Sequence, residues 1–258
     1  MSRETRVVDL DEERRSRVLA ALSRCPLLAG LTPEELNGVA DRCGWSAFEA
    51  RTDVFVEAQP CDRLWILESG RVRLYQSGPD GRQQVVGFPS PGAALELGPA
   101  LDGRPYATTS TTLEPSALIF LPRAALGALS RRYPDTVRNA IDQLCLELRQ
   151  RSILGAIAAL KDARERVHCT LVQLAYQYGK RANGGVRIEY KLTRQDIADR
   201  AGITLETAIR IMSELQHRGV VRTESQIVEL LDVKALRDTA ECADCQLDCS
   251  LFGPYRPS

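Results

Sequence analysis

The sequence carries no surplus of charge: 34 basic residues balance 34 acidic ones across 258 positions. A chain coated with cations for nucleic acid is excluded, so any DNA contact has to be local. Long apolar runs are also missing. The longest, 153–160, spans eight residues and contains Gly155, far short of the ~20 that a membrane helix needs. The first 17 residues are thick with Arg, Asp and Glu and lack the apolar stretch of a secretory signal. A cytoplasmic protein without a membrane partner is expected. Histidine occurs only as His168 and His217; both are expected to be structural, which leaves little for haem ligation. No Ser/His/Asp arrangement, Walker loop or metal-hydrolase motif occurs, so an enzyme is not expected. Internal repeats and low-complexity tracts are absent. What remains is a globular composition, 44% hydrophobic and 26% charged, which excludes wholesale disorder. The length fits one large domain or two medium ones.

Residues 7–43 read as helical, and Thr32-Pro33-Glu34-Glu35 has the form of a helix start. From about Trp45 to Leu121 the pattern changes to short apolar segments: 64–67, 72–75, 84–88 and 117–121. Ser69-Gly70, Gly78-Pro79-Asp80-Gly81 and Pro89-Ser90-Pro91-Gly92 separate them as turns. Short strands at this spacing predict a small all-β barrel or roll. Pro134 opens a long helix on which Val137, Ile141, Leu144 and Leu148 recur at intervals of 4, 3 and 4. That is a coiled-coil-like seam, continued by Gly155 and Ala158, and it predicts dimerisation. Packing on the chain's own β domain is the competing reading. Asp162-Ala163-Arg164-Glu165 has the form of a capping box and starts a new helix.

The sharpest signal lies in 193–231. Thr193 with Asp196 caps a helix whose apolar side is Ile197, Ala198 and Ala201. Gly202 turns the chain, and Thr204 caps a second helix that ends at Gly219. Two helices joined in this way make a helix-turn-helix. On the second helix, Ala208, Ile211, Met212 and Leu215 form the core stripe. Glu206, Ile209, Arg210 and Ser213 follow the same spacing on another, outward face. Arg can donate two bonds to guanine, and Glu can accept from cytosine N4; four residues apart, the two can also pair with each other. Residues 220–223 and 227–230 read as two strands of a wing. From Lys191 to Arg222 there are six basic and four acidic residues, so phosphate attraction rests on few contacts.

Thr193-Arg194-Gln195-Asp196-Ile197-Ala198, followed by residues 204–211, resembles the helix-turn-helix of the CRP/FNR transcription regulators. The resemblance extends to Gly70-Arg71-Val72, Gly92, Glu96-Leu97-Gly98 and the helix from Pro134. It implies an α+β chain: an arm and β-roll sensor like a cyclic-nucleotide-binding jelly roll (1–133), a dimerisation helix (134–161), a winged helix-turn-helix (162–236) and a cysteine-containing tail (237–258). It further implies a homodimer on a palindromic double-stranded DNA operator, with RNA polymerase as a partner. Glu206 and Arg210 match the family's base-reading pair, and Thr193, Arg194 and Gln195 match its phosphate contacts. Leu205 stands where the cyclic-AMP branch has a guanine-reading Arg and the FNR branch an aliphatic residue, so an FNR-like half-site near TTGA is expected; Ile209 replaces the small Gly or Ser usual in both branches. The roll departs too. Tyr106-Ala107 stand where cyclic-nucleotide binders hold the phosphate with an Arg–Ser pair, and Arg104 is the nearest cation in sequence. Cyclic nucleotide is therefore not an expected ligand.

Cys242, Cys245 and Cys249 form a C-x2-C-x3-C motif; the other five cysteines are scattered. In a helix the first and third would stand roughly 10 Å apart along the axis, whereas thiolates on one metal sit about 4 Å apart. A single centre therefore needs a loop. Three thiolates predict an iron–sulfur cluster, with zinc or thiol redox switching as alternatives. Some family members hold a [4Fe–4S] cluster with C-terminal cysteines, and this tail looks like that arrangement. Asp162 or a scattered cysteine would supply the fourth ligand, against the plainer reading of Asp162 as a helix cap. The expectation is thus an oxygen-, NO- or redox-sensing regulator. The alternative is a small-molecule-gated regulator of the same fold with a zinc- or thiol-containing tail.

Overall fold

A computed structural model of the chain describes residues 12–182, 184–240 and 248–253. The motif residues Cys242 and Cys245 lie outside the described residues. Two units separate: the described parts of 1–76 with 87–145, and of 77–86 with 146–258.

The first unit opens with helix α1 (Glu12–Arg24), a 3-10 turn (Pro26–Leu28) and α2 (Pro33–Ala40). The helical reading of 7–43 resolves into these separate pieces, with a break at Pro26, which cannot donate a backbone hydrogen bond. Thr32 caps α2 with the full capping box to Glu35. Strands β1 (Gly44–Phe48), β2 (Asp53–Phe55), β3 (Arg63–Ser69), β4 (Val72–Ser77) and β6 (Ala94–Leu95) follow, while β5 (Gln83–Gly87) falls almost wholly within the 77–86 segment of the second unit. Helix α3 (Leu97–Asp102), strands β7 (Thr109–Thr112) and β8 (Ser116–Pro122) and helix α4 (Arg123–Arg132) complete the roll. The strands form two sheets, ordered β1-β8-β3-β6 and β2-β7-β4-β5. β3 and β8 are nearly unbroken apolar runs because they are the inner strands of their sheet, antiparallel with Trp65 opposite Phe120 and Ile66 opposite Ile119. Leu64, Ile66, Leu67, Leu118 and Ile119 are all fully buried there.

Helix α5 (Pro134–Leu160) is 27 residues long, about 40 Å at 1.5 Å per residue. Its predicted seam is largely uncovered: Val137 is 42%, Ile141 55% and Leu148 66% exposed. Leu144 instead leans on the core of its own roll.

In the second unit, α6 (Ala163–Tyr178) starts at the predicted box, where the Asp162 side chain accepts from Glu165 N. Strands β9 (Gly179–Ala182) and β10 (Gly185–Ile188) precede α7 (Arg194–Ala201) and α8 (Leu205–His217). Strands β11 (Val221–Glu224) and β12 (Ile227–Leu230) come next, then α9 (Val233–Thr239) and a 3-10 turn (Cys249–Phe252). The wing is larger than the two strands expected: the sheet has four, ordered β11-β12-β10-β9.

Candidate nucleic-acid interface

The two helices of the motif are fixed at their ends by their own side chains. Thr193 Oγ1 accepts from Asp196 N at 3.0 Å, and Thr193 N donates to Asp196 Oδ2 at 2.9 Å. A cap of this kind contributes about 1 kcal/mol. Gly202 then takes the left-handed conformation at φ 63°, ψ 44°, which a residue with a Cβ enters only with strain. Thr204 Oγ1 accepts from Thr207 N at 3.3 Å and starts α8.

Helix α8 has two opposed faces. Ala208, Ile211, Met212 and Leu215 are buried. Glu206, Ile209, Arg210 and Ser213 are all exposed. Neither Glu206 nor Arg210 has an ion-pair or hydrogen-bond partner among the described residues.

That is unusual in this segment, because its other cations are in use. Arg200 is buried. Arg218 approaches Glu214, and Arg222 is bound to Glu229. Lys191 has a partner of its own. Arg194, expected on DNA phosphate, is half-buried. Its Nη2 donates to Gln216 Oε1 at 2.8 Å and to Thr223 Oγ1 at 3.3 Å, tying the start of α7 to the end of α8 and to β11. Desolvation lowers its pKa. Gln195 donates to Asp199 Oδ1 at 2.6 Å. Of the six basic residues from 191 to 222, Arg210 alone is exposed with neither a hydrogen bond nor an ion pair among the described residues, though its charge is felt by Glu214.

The back of α8 is tied to α6 by charge. Arg164 donates to Glu214, which lowers the carboxylate's pKa. Beneath this pair His168 is 1% exposed, and neither ring nitrogen has a hydrogen-bond partner in the described structure. Burial first, then Arg164 and Arg218, push its pKa down to about 4. His168 is a structural residue, as expected of a neutral buried imidazole; His217 Nδ1 contacts the Ser213 carbonyl at 2.8 Å.

In the roll, Tyr106 is 5% exposed and stacks on Phe55 with ring centroids 4.2 Å apart. The Glu96 carboxylate accepts from Ala107 N at 2.9 Å and Thr108 Oγ1 at 2.8 Å. Arg104 is exposed and beside Asp102, at 3.6 Å. No cation therefore occupies the Arg–Ser position of a cyclic-nucleotide binder.

At the tail, Cys249 is half-buried at the start of its 3-10 turn. Cys25, Cys43, Cys61 and Cys169 are buried, and burial raises Cys25 to about 11 and Cys43 to about 12; such thiols are inert. Among the described residues no cluster of three metal-ligating side chains occurs. Asp162 is engaged as the cap of α6.

Comparison with known proteins matches this geometry. A model of the cyclic nucleotide-binding domain matches residues 45–133, and one of the Crp-like helix-turn-helix domain matches residues 165–239. The chain is 27% identical over 215 residues to the CRP-like cAMP-activated global transcriptional regulator of Mycobacterium tuberculosis, covering 83% of this chain and 96% of that one. It is 24% identical over 179 residues to the transcriptional activator protein Anr of Pseudomonas aeruginosa, covering 69% and 73%. FixK2 from Bradyrhizobium japonicum shares the fold with TM-score 0.68 at 22% identity, over 76% of this chain and 96% of that one. A mutant of CooA from Carboxydothermus hydrogenoformans does so with TM-score 0.71 at 17% identity, over 92% and 99%. No described helix is long and apolar enough to cross a membrane. With a cyclic-nucleotide-binding-like roll, a long helix and a Crp-like helix-turn-helix in one chain, this protein belongs to the CRP/FNR family of DNA-binding transcription regulators.

Proposed function

We propose that the protein acts as a homodimer on a two-fold symmetric operator with TTGA-like half-sites, reading each half-site with Glu206 and Arg210. The observation that carries this reading is the exposed face of α8, where both side chains stand without a hydrogen bond or ion pair among the described residues. Arg210 suits the O6/N7 edge of guanine, and Glu206 suits an amino group on the neighbouring pair. Ile209 and Ser213 border them, and Ile209 offers an apolar contact for a thymine methyl. Thr193 and Gln195 at the start of α7, with Thr204 at the start of α8, supply phosphate contacts that set the register. Val137, Ile141 and Leu148 form the dimer seam on α5, and Leu144 borders it against the roll. RNA polymerase is the partner through which bound operator becomes regulation. Fluorescence anisotropy with a TTGA-containing palindrome tests the reading; binding no tighter than to a scrambled duplex overturns it.

The regulatory input is a metal centre on the tail. The chemistry of the donor set fits a [4Fe–4S] cluster: three cysteines, Cys242, Cys245 and the half-buried Cys249, stand at C-x2-C-x3-C spacing. Cys242, Cys245 and Cys249 would hold it, with Asp162 as fourth ligand if its carboxylate leaves the cap of α6. Bound there, the cluster supplies a centre that oxygen or nitric oxide can degrade. Zinc on the same thiols is the alternative. Iron analysis and absorbance of protein purified without air decide: a colourless, iron-free protein with full operator affinity overturns the cluster. For the roll, calorimetry with cyclic nucleotides is expected to show no binding, because Tyr106 and Ala107 offer the phosphate no cation.

A further inference from the structure

The described end of the tail is not a loose extension. Gln150 Nε2 on α5 donates to the Leu251 carbonyl at 2.7 Å. Phe252 is 7% exposed and shares an apolar cluster with Ile153 and Ile157 of α5, Cys169 of α6 and Ala240, the last described residue before the cysteine segment. Gly253 fits only because it has no side chain: a Cβ there would stand 2.2 Å from the Tyr176 carbonyl oxygen.

The same phenylalanine reaches the helix-turn-helix. The Arg200 guanidinium of α7 lies 5.5 Å from the centre of the Phe252 ring. Arg200 is 6% exposed, its Nε has no hydrogen-bond partner, and no carboxylate pairs with it among the described residues. Among the described residues its guanidinium makes one hydrogen bond, from Nη1 to the Val85 carbonyl at 3.3 Å. Desolvation pushes its pKa down to about 10. A buried, unpaired cation is tolerated where a ring face compensates it. Phe252 supplies that face from the tail.

We infer that residues 249–253 form a strap that positions the helix-turn-helix on α5, with Phe252 acting through Arg200. Leu251 and Phe252 grip α5, Gly253 abuts the end of α6, and the ring covers the cation of α7. None of these contacts uses a thiolate, so the strap works whether or not the tail carries a metal. The Cys169 thiol, 3% exposed in the same cluster, serves as a reporter of whether the strap is seated.

The test uses the full-length chain, reduced and treated with chelator. It measures alkylation of each cysteine by peptide mass spectrometry beside operator affinity by anisotropy. Phe252→Ala and Gly253→Ala are each expected to speed Cys169 alkylation at least tenfold. Each should also weaken operator binding at least fivefold, evenly across base-pair variants, while Cys25 and Cys43 in the other unit stay protected. Phe252→Leu keeps an apolar cover without the ring; it should restore Cys169 protection and leave binding at least threefold weaker. Unchanged Cys169 alkylation in the first two variants overturns the strap. Faster alkylation with unchanged binding overturns its positioning role, and full binding by Phe252→Leu overturns the route through Arg200. A nonspecific DNA-binding defect from unfolding would lose helix content by circular dichroism, and then Phe252→Leu alone decides.

Discussion

His168 makes the second unit acid-labile in a window where few other groups titrate. The imidazole is buried, and this desolvation, with the charges of Arg164 and Arg218, lowers its pKa from 6.5 to about 4 in the folded chain. In the unfolded chain it returns to about 6.5. Between these values the unfolded state holds a proton that the folded state does not, so stability falls as pH drops. The slope is about 1.4 kcal/mol per pH unit, which amounts to about 2 kcal/mol lost by pH 5 and about 3 kcal/mol by pH 4. Glu214, lowered by Arg164, contributes in the same direction but only as pH falls through the carboxylate range. The region from pH 5 to 7 therefore isolates the histidine. Urea unfolding followed by far-UV circular dichroism reads the helices, while Trp45 and Trp65 report the other unit separately. His168→Leu removes both orphaned nitrogens and the titration. It is expected to flatten the profile between pH 5 and 7 by about 2 kcal/mol relative to the parent. Parallel profiles for the two proteins would refute the buried, neutral imidazole.

Other consequences are as direct. Thr193→Ala removes the cap of α7 and should cost the unit about 1 kcal/mol, read as a shift in urea midpoint at constant slope; no shift contradicts the capping box. Arg194→Ala should weaken binding equally for every operator variant and leave the salt dependence nearly unchanged, because the guanidinium holds Gln216 and Thr223. A salt slope lowered by about 1 would place Arg194 on phosphate instead. Ile141→Asp with Leu148→Asp should yield monomers by light scattering, since both side chains are more than half exposed on α5; a persistent dimer would exclude that seam.

How much of this was legible before the fold depended on the range of the interaction. Caps act over three residues, so Thr32, Asp162 and Thr193 could each be located, and each sits at its helix start. The buried stripe of α8 follows from its 3.6-residue period. Short polar strands were not legible. β7 is Thr-Ser-Thr-Thr and is mostly buried, with Thr112 Oγ1 donating to the Glu49 carbonyl at 2.6 Å. β2 and β6 have three and two residues, too few to show a period. For β9 and β10 the Asn183-Gly184-Gly185 run was an available hairpin signal. Arg194 and Arg200 could not be placed from local pattern at all. Their partners lie 22 and 29 positions away in one case and 115 in the other, and charge alone reads as an exposed side chain.

The central claim is that Arg210 reads a base from the free face of α8. Affinities of the parent chain and Arg210→Ala, measured on an operator set with every half-site base pair substituted in turn, test it most directly. The account predicts a loss of about 1–3 kcal/mol on the parent operator and the disappearance of discrimination at one base pair per half-site, with the rest of the profile preserved. An Arg210→Ala profile parallel to the parent's at every position would contradict it.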